Sequence, residues 1–96
     1  MPRLQLLEDE TKRQLMRIRE KRRGLRILNE SDQRLKDAVK NLDAYIKDTA
    51  YFLDKKDMIR AFEAVVYAWG ILETLENMHL IGFRKRQGPL KDAADL

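Results

Sequence analysis

Apolar residues recur at steps of three and four along almost the whole chain, the spacing of one face of an α-helix. Two short polar runs interrupt this pattern, and the second of them contains Asp57, a residue that favours the N-cap position of a helix. The pattern therefore predicts three helices, which cover about residues 4–28, 32–54 and 58–81.

The third predicted helix has the widest apolar face. Its main row is Ile59, Phe62, Val66 and Trp69, and other apolar residues broaden it to both sides. An arc of this width is typical of a helix that is covered by more than one neighbour. Gly70 predicts a close approach of another helix, because Gly costs about 1 kcal/mol of helix propensity relative to Ala. Gly82 is the expected C′ residue.

The joins between the three helices are short, which favours antiparallel neighbours. The chain has 96 residues with only four Gly and two Pro. We therefore predict an all-α fold, a three-helix up-and-down bundle formed by residues 1–82 as a single domain. Residues 83–96 are expected to form an irregular, basic C-terminal tail.

Several classes of protein are excluded by composition. The chain contains no cysteine, so it has neither disulfides nor thiol chemistry. No apolar run approaches the ~18 residues of a membrane span, and the N-terminus lacks the apolar core of a secretory signal. We expect a cytoplasmic protein with no membrane partner and no cofactor.

The formal net charge is +4, and the surplus of basic residues lies near the two ends of the chain. Clusters of this kind attract phosphate backbones. The candidate nucleic-acid surface comprises Arg17, Lys21, Arg23, Arg26, Arg84, Lys85 and Arg86. The alternative is a solvated, charge-rich helix, which is favoured because no aromatic residue interleaves the cluster of the first helix.

Two further groups of residues are singled out by their positions on the helical wheel. Arg22 and Glu73 each intrude on an apolar face, and we expect an ion pair between them because a buried acid needs a partner. The alternative is that both side chains reach water at the helix ends. Tyr67 and Ile71 lie off the main apolar row and are candidates for a surface that contacts a partner.

No catalytic constellation is visible, and we expect that the protein is not an enzyme. Glu73 and Glu76 form an E-x-x-E pair, a spacing that holds Mg²⁺ in some helical nucleotide hydrolases, but a divalent site needs more converging oxygens. His79 is the only histidine and Ser31, a predicted helix cap, is the only serine, so the sequence shows no nucleophile–base pair.

The segment from Tyr51 to Gly70 contains the run R-A-F-E-A-V-V-Y-A-W-G after a short K-x-D turn. It resembles the signature of an archaeal family known as domain of unknown function 357. The resemblance covers about residues 35–80, and Lys56 stands where the family often has Gly in the turn. It implies a helical bundle in an archaeal cytoplasmic protein, and it implies no activity, substrate or catalytic residue.

The leading interpretation is a non-catalytic helical interaction module that binds a protein partner or a second copy of itself through the wide face of the third helix. The alternative is a nucleic-acid-binding accessory protein that uses the first helix and the tail. A third hypothesis is a metal-dependent nucleotide hydrolase that uses Glu73 and Glu76.

Overall fold

The computed structural model describes residues 2–84, which form three helices and a two-stranded antiparallel sheet. The elements are α1 (Pro2–Arg23), β1 (Leu25–Ile27), α2 (Gln33–Asp54), α3 (Met58–Asn77) and β2 (Ile81–Phe83). The predicted all-α three-helix bundle is confirmed, with this small sheet as an addition. Across residues 2–84, no helix combines the length and the hydrophobicity of a membrane-spanning segment.

The three helices run up, down and up. Near its start, α1 meets the turn that precedes α3 through Glu8, whose carboxylate lies 3.2 Å from the Lys56 ammonium. Near its end, α1 meets the end of α3 through Lys21, whose ammonium lies 3.4 Å from Glu76. The core between the helices is apolar, and its least exposed members are Ile18, Leu42, Ala61, Val65, Ala68 and Leu72.

The first helix is shorter than predicted. It ends at Arg23 instead of continuing to about residue 28, because Leu25–Ile27 leave the helix and pair with Ile81–Phe83. Successive side chains of a strand point to opposite faces. Leu25 and Ile27 are accordingly half-buried against the core, while Arg26 between them is exposed. Apolar residues two apart therefore cover the end of the bundle without another helical turn.

The third helix is also shorter than predicted, ending at Asn77 instead of Ile81. His79 has a φ of 58°, in the left-handed region, and its N–H donates to the Glu76 carbonyl while the Leu80 N–H donates to that of Leu75. These bonds define a Schellman motif with His79 at C′. The prediction of Gly82 at C′ is wrong.

Gly82 and Phe83 are part of strand β2, so the chain is regular where the prediction begins an irregular tail. Gly82 lies opposite Arg26 in the ladder, and Ile81 is buried. The structure describes one further residue after this strand, Arg84. The remainder of the predicted tail, including Lys85 and Arg86, lies outside the described residues.

Candidate functional site

A row of apolar side chains on α3 faces outward. Ile59, Phe62 and Val66 are 65%, 38% and 50% exposed, although their spacing predicts a place in the core. The residues of α3 that are buried are Met58, Ala61, Ala64, Val65, Ala68, Leu72 and Leu75. That set fills the arc covered by α1 and α2, and the remaining apolar residues project away from it. We call Ile59, Phe62 and Val66 the α3 stripe.

Gly70 extends the same side of the helix, since it follows Val66 by four residues as Val66 follows Phe62. A Cβ atom built on Gly70 would have no neighbour within 4 Å outside the local helix backbone. The predicted close approach of another helix at Gly70 is therefore wrong within the chain. Gly70 is an exposed position without a side chain, next to the α3 stripe.

A cleft between α1 and α3 begins where the α3 stripe ends. Trp69 and Phe83 provide its aromatic surface, and Met16 of α1 adds an exposed thioether. The Arg17 guanidinium lies 5.8 Å from the centre of the Trp69 ring, and the Lys21 ammonium lies 4.7 Å from that of Phe83. Both cations thus cover aromatic faces in a cation–π arrangement.

The cleft brings together four of the residues predicted for a nucleic-acid surface, namely Arg17, Lys21, Arg23 and Arg84. Arg26 does not line it, and Lys85 and Arg86 are outside the described residues. Three carboxylates line the same cleft, those of Glu20, Glu73 and Glu76. The sequence of α1 has no aromatic residue among its basic residues. In the folded chain, Trp69 of α3 and Phe83 of β2 lie beside them, a proximity that the sequence of α1 alone does not predict.

A second groove runs between α1 and α2. The Arg22 guanidinium holds Asp43 through two hydrogen bonds, from Nε at 2.6 Å and Nη2 at 3.1 Å. The predicted Arg22–Glu73 ion pair is therefore wrong. Arg22 points to α2, whereas Glu73 lies in the cleft between α1 and α3. The other polar residues that line this groove are Arg19, Arg23 and Lys47.

The two residues proposed for a partner surface differ in exposure. Tyr67 is 61% exposed and stacks on Tyr45 of α2, with ring centres 5.4 Å apart. Ile71 is half-buried and packs against the hydrophobic core. Tyr67 is therefore accessible at the surface, whereas much of the Ile71 side chain is buried against the core.

At the opposite end of the bundle, the Glu8 carboxylate of α1 forms ion pairs with two lysine ammonium groups. Lys12 lies 2.9 Å and Lys56 3.2 Å from its carboxylate. Hydrogen bonds from Lys12 and then Lys56 lower the pKa of Glu8 below its usual value, although desolvation opposes them. Lys56 itself adopts a φ of 61° and ends α2 with the same kind of Schellman motif as His79 ends α3.

The carboxylates of α3 do not form part of a larger ligand cluster. Among residues 2–84, no three His, Cys, Asp or Glu side chains are grouped so that they could hold a metal ion. Glu76 is engaged by Lys21, and His79 is exposed at the end of α3. Glu20 lines the same cleft as this E-x-x-E pair, but within this part of the chain the three carboxylates are not grouped as an Mg²⁺ site requires.

Comparisons with known proteins give a consistent picture. Residues 9–81 match the model of a family described as protein of unknown function (DUF357). The chain is similar to protein AF1782 from Archaeoglobus fulgidus, a crystal structure assigned to the same family model. The two share 35% sequence identity and a TM-score of 0.71, over 83% of this chain and 96% of that chain. None of the curated proteins matches the chain.

Proposed function

The chain belongs to the DUF357 family, a helical family whose description gives no function, and we propose that it is a non-catalytic interaction module that binds a protein partner through the α3 stripe. The observation that carries this proposal is the outward position of three large apolar residues at helical spacing on one face. Single exposed apolar residues are common on protein surfaces, but a contiguous row of them marks an interaction site.

The surroundings of the stripe support this proposal. Trp69 continues the row and is half-buried beneath Arg17, so one edge of the surface is rigid and aromatic. Trp and Arg are the residues most enriched where binding energy concentrates in interfaces. The charged side chains Glu63 and Glu73 are exposed on the same helix and supply a polar rim.

Photo-crosslinking tests this proposal. A benzophenone amino acid at Phe62 is expected to form discrete adducts with protein in the cells from which the chain comes. The same group at Asn41, an exposed position of α2, is the matched control and should form none. Absence of adducts from position 62, or an equal smear from both positions, would contradict a specific protein interaction at the stripe.

Nucleic-acid binding is the second candidate function. Its support is the cleft in which Arg17, Lys21, Arg23 and Arg84 surround Trp69 and Phe83, because cations beside aromatic faces suit single-stranded nucleic acid. Three glutamates in the same cleft reduce the surplus to a single positive charge (four cations minus three carboxylates), which is why this candidate comes second.

A titration with single-stranded RNA at about 50 and 200 mM salt tests this candidate. Binding through phosphates weakens steeply with salt, and Arg84→Ala is expected to lower the logarithmic slope by roughly 0.7, the value for one contact to a single strand. Arg34→Ala, at an exposed position of α2 outside the cleft, is the control. No binding at about 50 mM salt would exclude the cleft as a phosphate-contacting surface.

A further inference from the structure

We propose that the partner of the α3 stripe is a second copy of this chain. The two α3 helices pair antiparallel about a two-fold axis at Val66, and Phe62 of each copy packs over Gly70 of the other. The inference rests on the proposed function of the α3 stripe and adds the identity of its partner and the register of the contact.

The register follows from the spacing of the three residues. Phe62 precedes Val66 by four residues and Gly70 follows it by four, so the three lie along one side of the helix. A two-fold axis makes an interface self-complementary, with residue i on j and j on i. When Val66 faces its own copy in an antiparallel pair, Phe62 necessarily faces Gly70 and Ile59 faces Glu73, whose carboxylate lies at the edge of the contact, and each pairing occurs twice.

The shapes of the two residues are complementary. Phe62 is the largest exposed side chain of the stripe, and Gly70 is an exposed position with no side chain. Inside the chain nothing occupies the space where a Gly70 Cβ would lie, so no internal contact requires glycine there. Glycine nevertheless weakens the middle of a helix by about 1 kcal/mol relative to Ala. The Phe62 ring of a second copy, packed against the exposed backbone at Gly70, accounts for the glycine at this position.

The charges favour the antiparallel direction. Lys56 lies in the turn just before α3 and is 74% exposed, whereas Glu76 lies near the end of α3 and is 42% exposed. Each already pairs with α1 of its own chain, Lys56 with Glu8 and Glu76 with Lys21, so both lie on the α1 side of α3 and a second copy would extend these pairs. Pairing about Val66 places Lys56 of one copy opposite Glu76 of the other, at both ends of the contact. A parallel pairing would instead align like charges and like helix dipoles.

The extent of the surface predicts a weak dimer. Stable interfaces bury about 800 Å² per partner, with some 20–30 residues on each side. The stripe, Gly70 and the flanking charges are fewer than that. We therefore expect monomer and dimer to exchange, with a dissociation constant between about 10 μM and 1 mM.

Sedimentation equilibrium of the full chain over that concentration range tests the partner. The average mass is expected to rise from the 11.4 kDa of the monomer towards twice that value. Gly70→Gln is expected to weaken association at least tenfold while raising the free energy of unfolding, because glutamine is a better helix former than glycine and meets nothing inside the chain. Asn41→Gln, at an exposed position of α2, is the control and should leave association unchanged.

A cysteine variant tests the register directly, because the chain has no cysteine of its own. Val66→Cys places two thiols beside the two-fold axis, within reach of each other, and mild oxidation should give a disulfide-linked dimer. Asn41→Cys should give little. Association without preferential cross-linking at position 66 would overturn this register.

The outcomes separate this inference from the proposed function. A chain that stays monomeric up to about 1 mM, or a Gly70→Gln variant that associates normally, overturns the dimer. If position 62 nonetheless cross-links to a different protein, the interaction surface stands with another partner. If it cross-links to nothing, the proposed function fails as well.

Discussion

At the scale of single residues, Glu8 shows how tertiary contacts tune a side chain that sequence alone would leave on the surface. Lys12 is its neighbour four residues along α1, so sequence predicts that contact. Lys56 is 48 residues away and reaches Glu8 only because α1 begins beside the turn between α2 and α3. The carboxylate thereby joins two elements that are distant in the chain.

The lowered pKa of Glu8 makes stability depend on pH. Its pKa in the folded chain lies below the ordinary value of 4.5, so the unfolded chain binds more protons between the two values. The stabilisation is fully present above pH 4.5 and is lost as pH falls through the lower, folded-state pKa. We expect Glu8→Gln to be less stable than the parent at pH 7, with a difference that shrinks below pH 4.5.

Urea unfolding at a series of pH values between about 3 and 7 measures this difference. Glu30→Gln is the matched control, because Glu30 is exposed in the loop between β1 and α2. A difference between Glu8→Gln and the parent that stays constant down to the lowest pH would contradict the role assigned to the two lysines.

At the scale of elements, the N-terminal ends of the helices are easier to predict from the sequence than the C-terminal ends. The N-caps are ordinary, since Asp32 and Asp57 accept hydrogen bonds from the backbone N–H groups three residues on, and the sequence pattern predicts Asp57 in this role. The C-terminal ends are harder to predict from the sequence, because Lys56 and His79 occupy left-handed positions where glycine is usual. Packing on either side of these turns determines a conformation that the residues themselves do not prefer.

The left-handed turn at Lys56 can be tested with two substitutions. Lys56→Gly and Lys56→Ala both remove the ammonium group that binds Glu8, but only glycine adopts a φ of 61° without steric cost. We expect Lys56→Gly to be more stable than Lys56→Ala by about 1 kcal/mol in chemical unfolding. At Lys55, where φ is −84°, the order should reverse. Equal stabilities of the two Lys56 variants would show that the turn carries no such strain.

At the scale of the whole molecule, α3 divides its apolar residues between the core and the surface. Leu72 is fully buried, while Val66 is half exposed, although both belong to the wide apolar arc. The buried half of the arc stabilises the fold, and the exposed half is the surface for which we propose a partner.

The division predicts different costs of truncation. Leu72→Ala is expected to lower the free energy of unfolding by about 2–5 kcal/mol, because it leaves a cavity in the core. Val66→Ala is expected to change it by no more than about 0.5 kcal/mol, since it removes exposed surface and improves helix propensity. Both are measured by urea unfolding at high dilution, where any dimer has dissociated. A similar loss in both variants would place Val66 in the core.

The sequence by itself determined the fold class, the approximate extent of α2 and the family. These follow from helical periodicity, polar breaks and a local run of residues, all of which act over a few turns of chain. It also identified α3 as having more apolar surface than one neighbour can cover.

Only the tertiary structure decided the ends of α1 and α3, the partner of Arg22 and the half of the α3 arc that faces outward. Each depends on residues far apart in the chain. Leu25–Ile27 become a strand because Ile81–Phe83 lie beside them, and Arg22 binds Asp43 because α2 runs past it. Periodicity reports that a helix has an apolar face, but the directions of its neighbours determine which part of that face is buried.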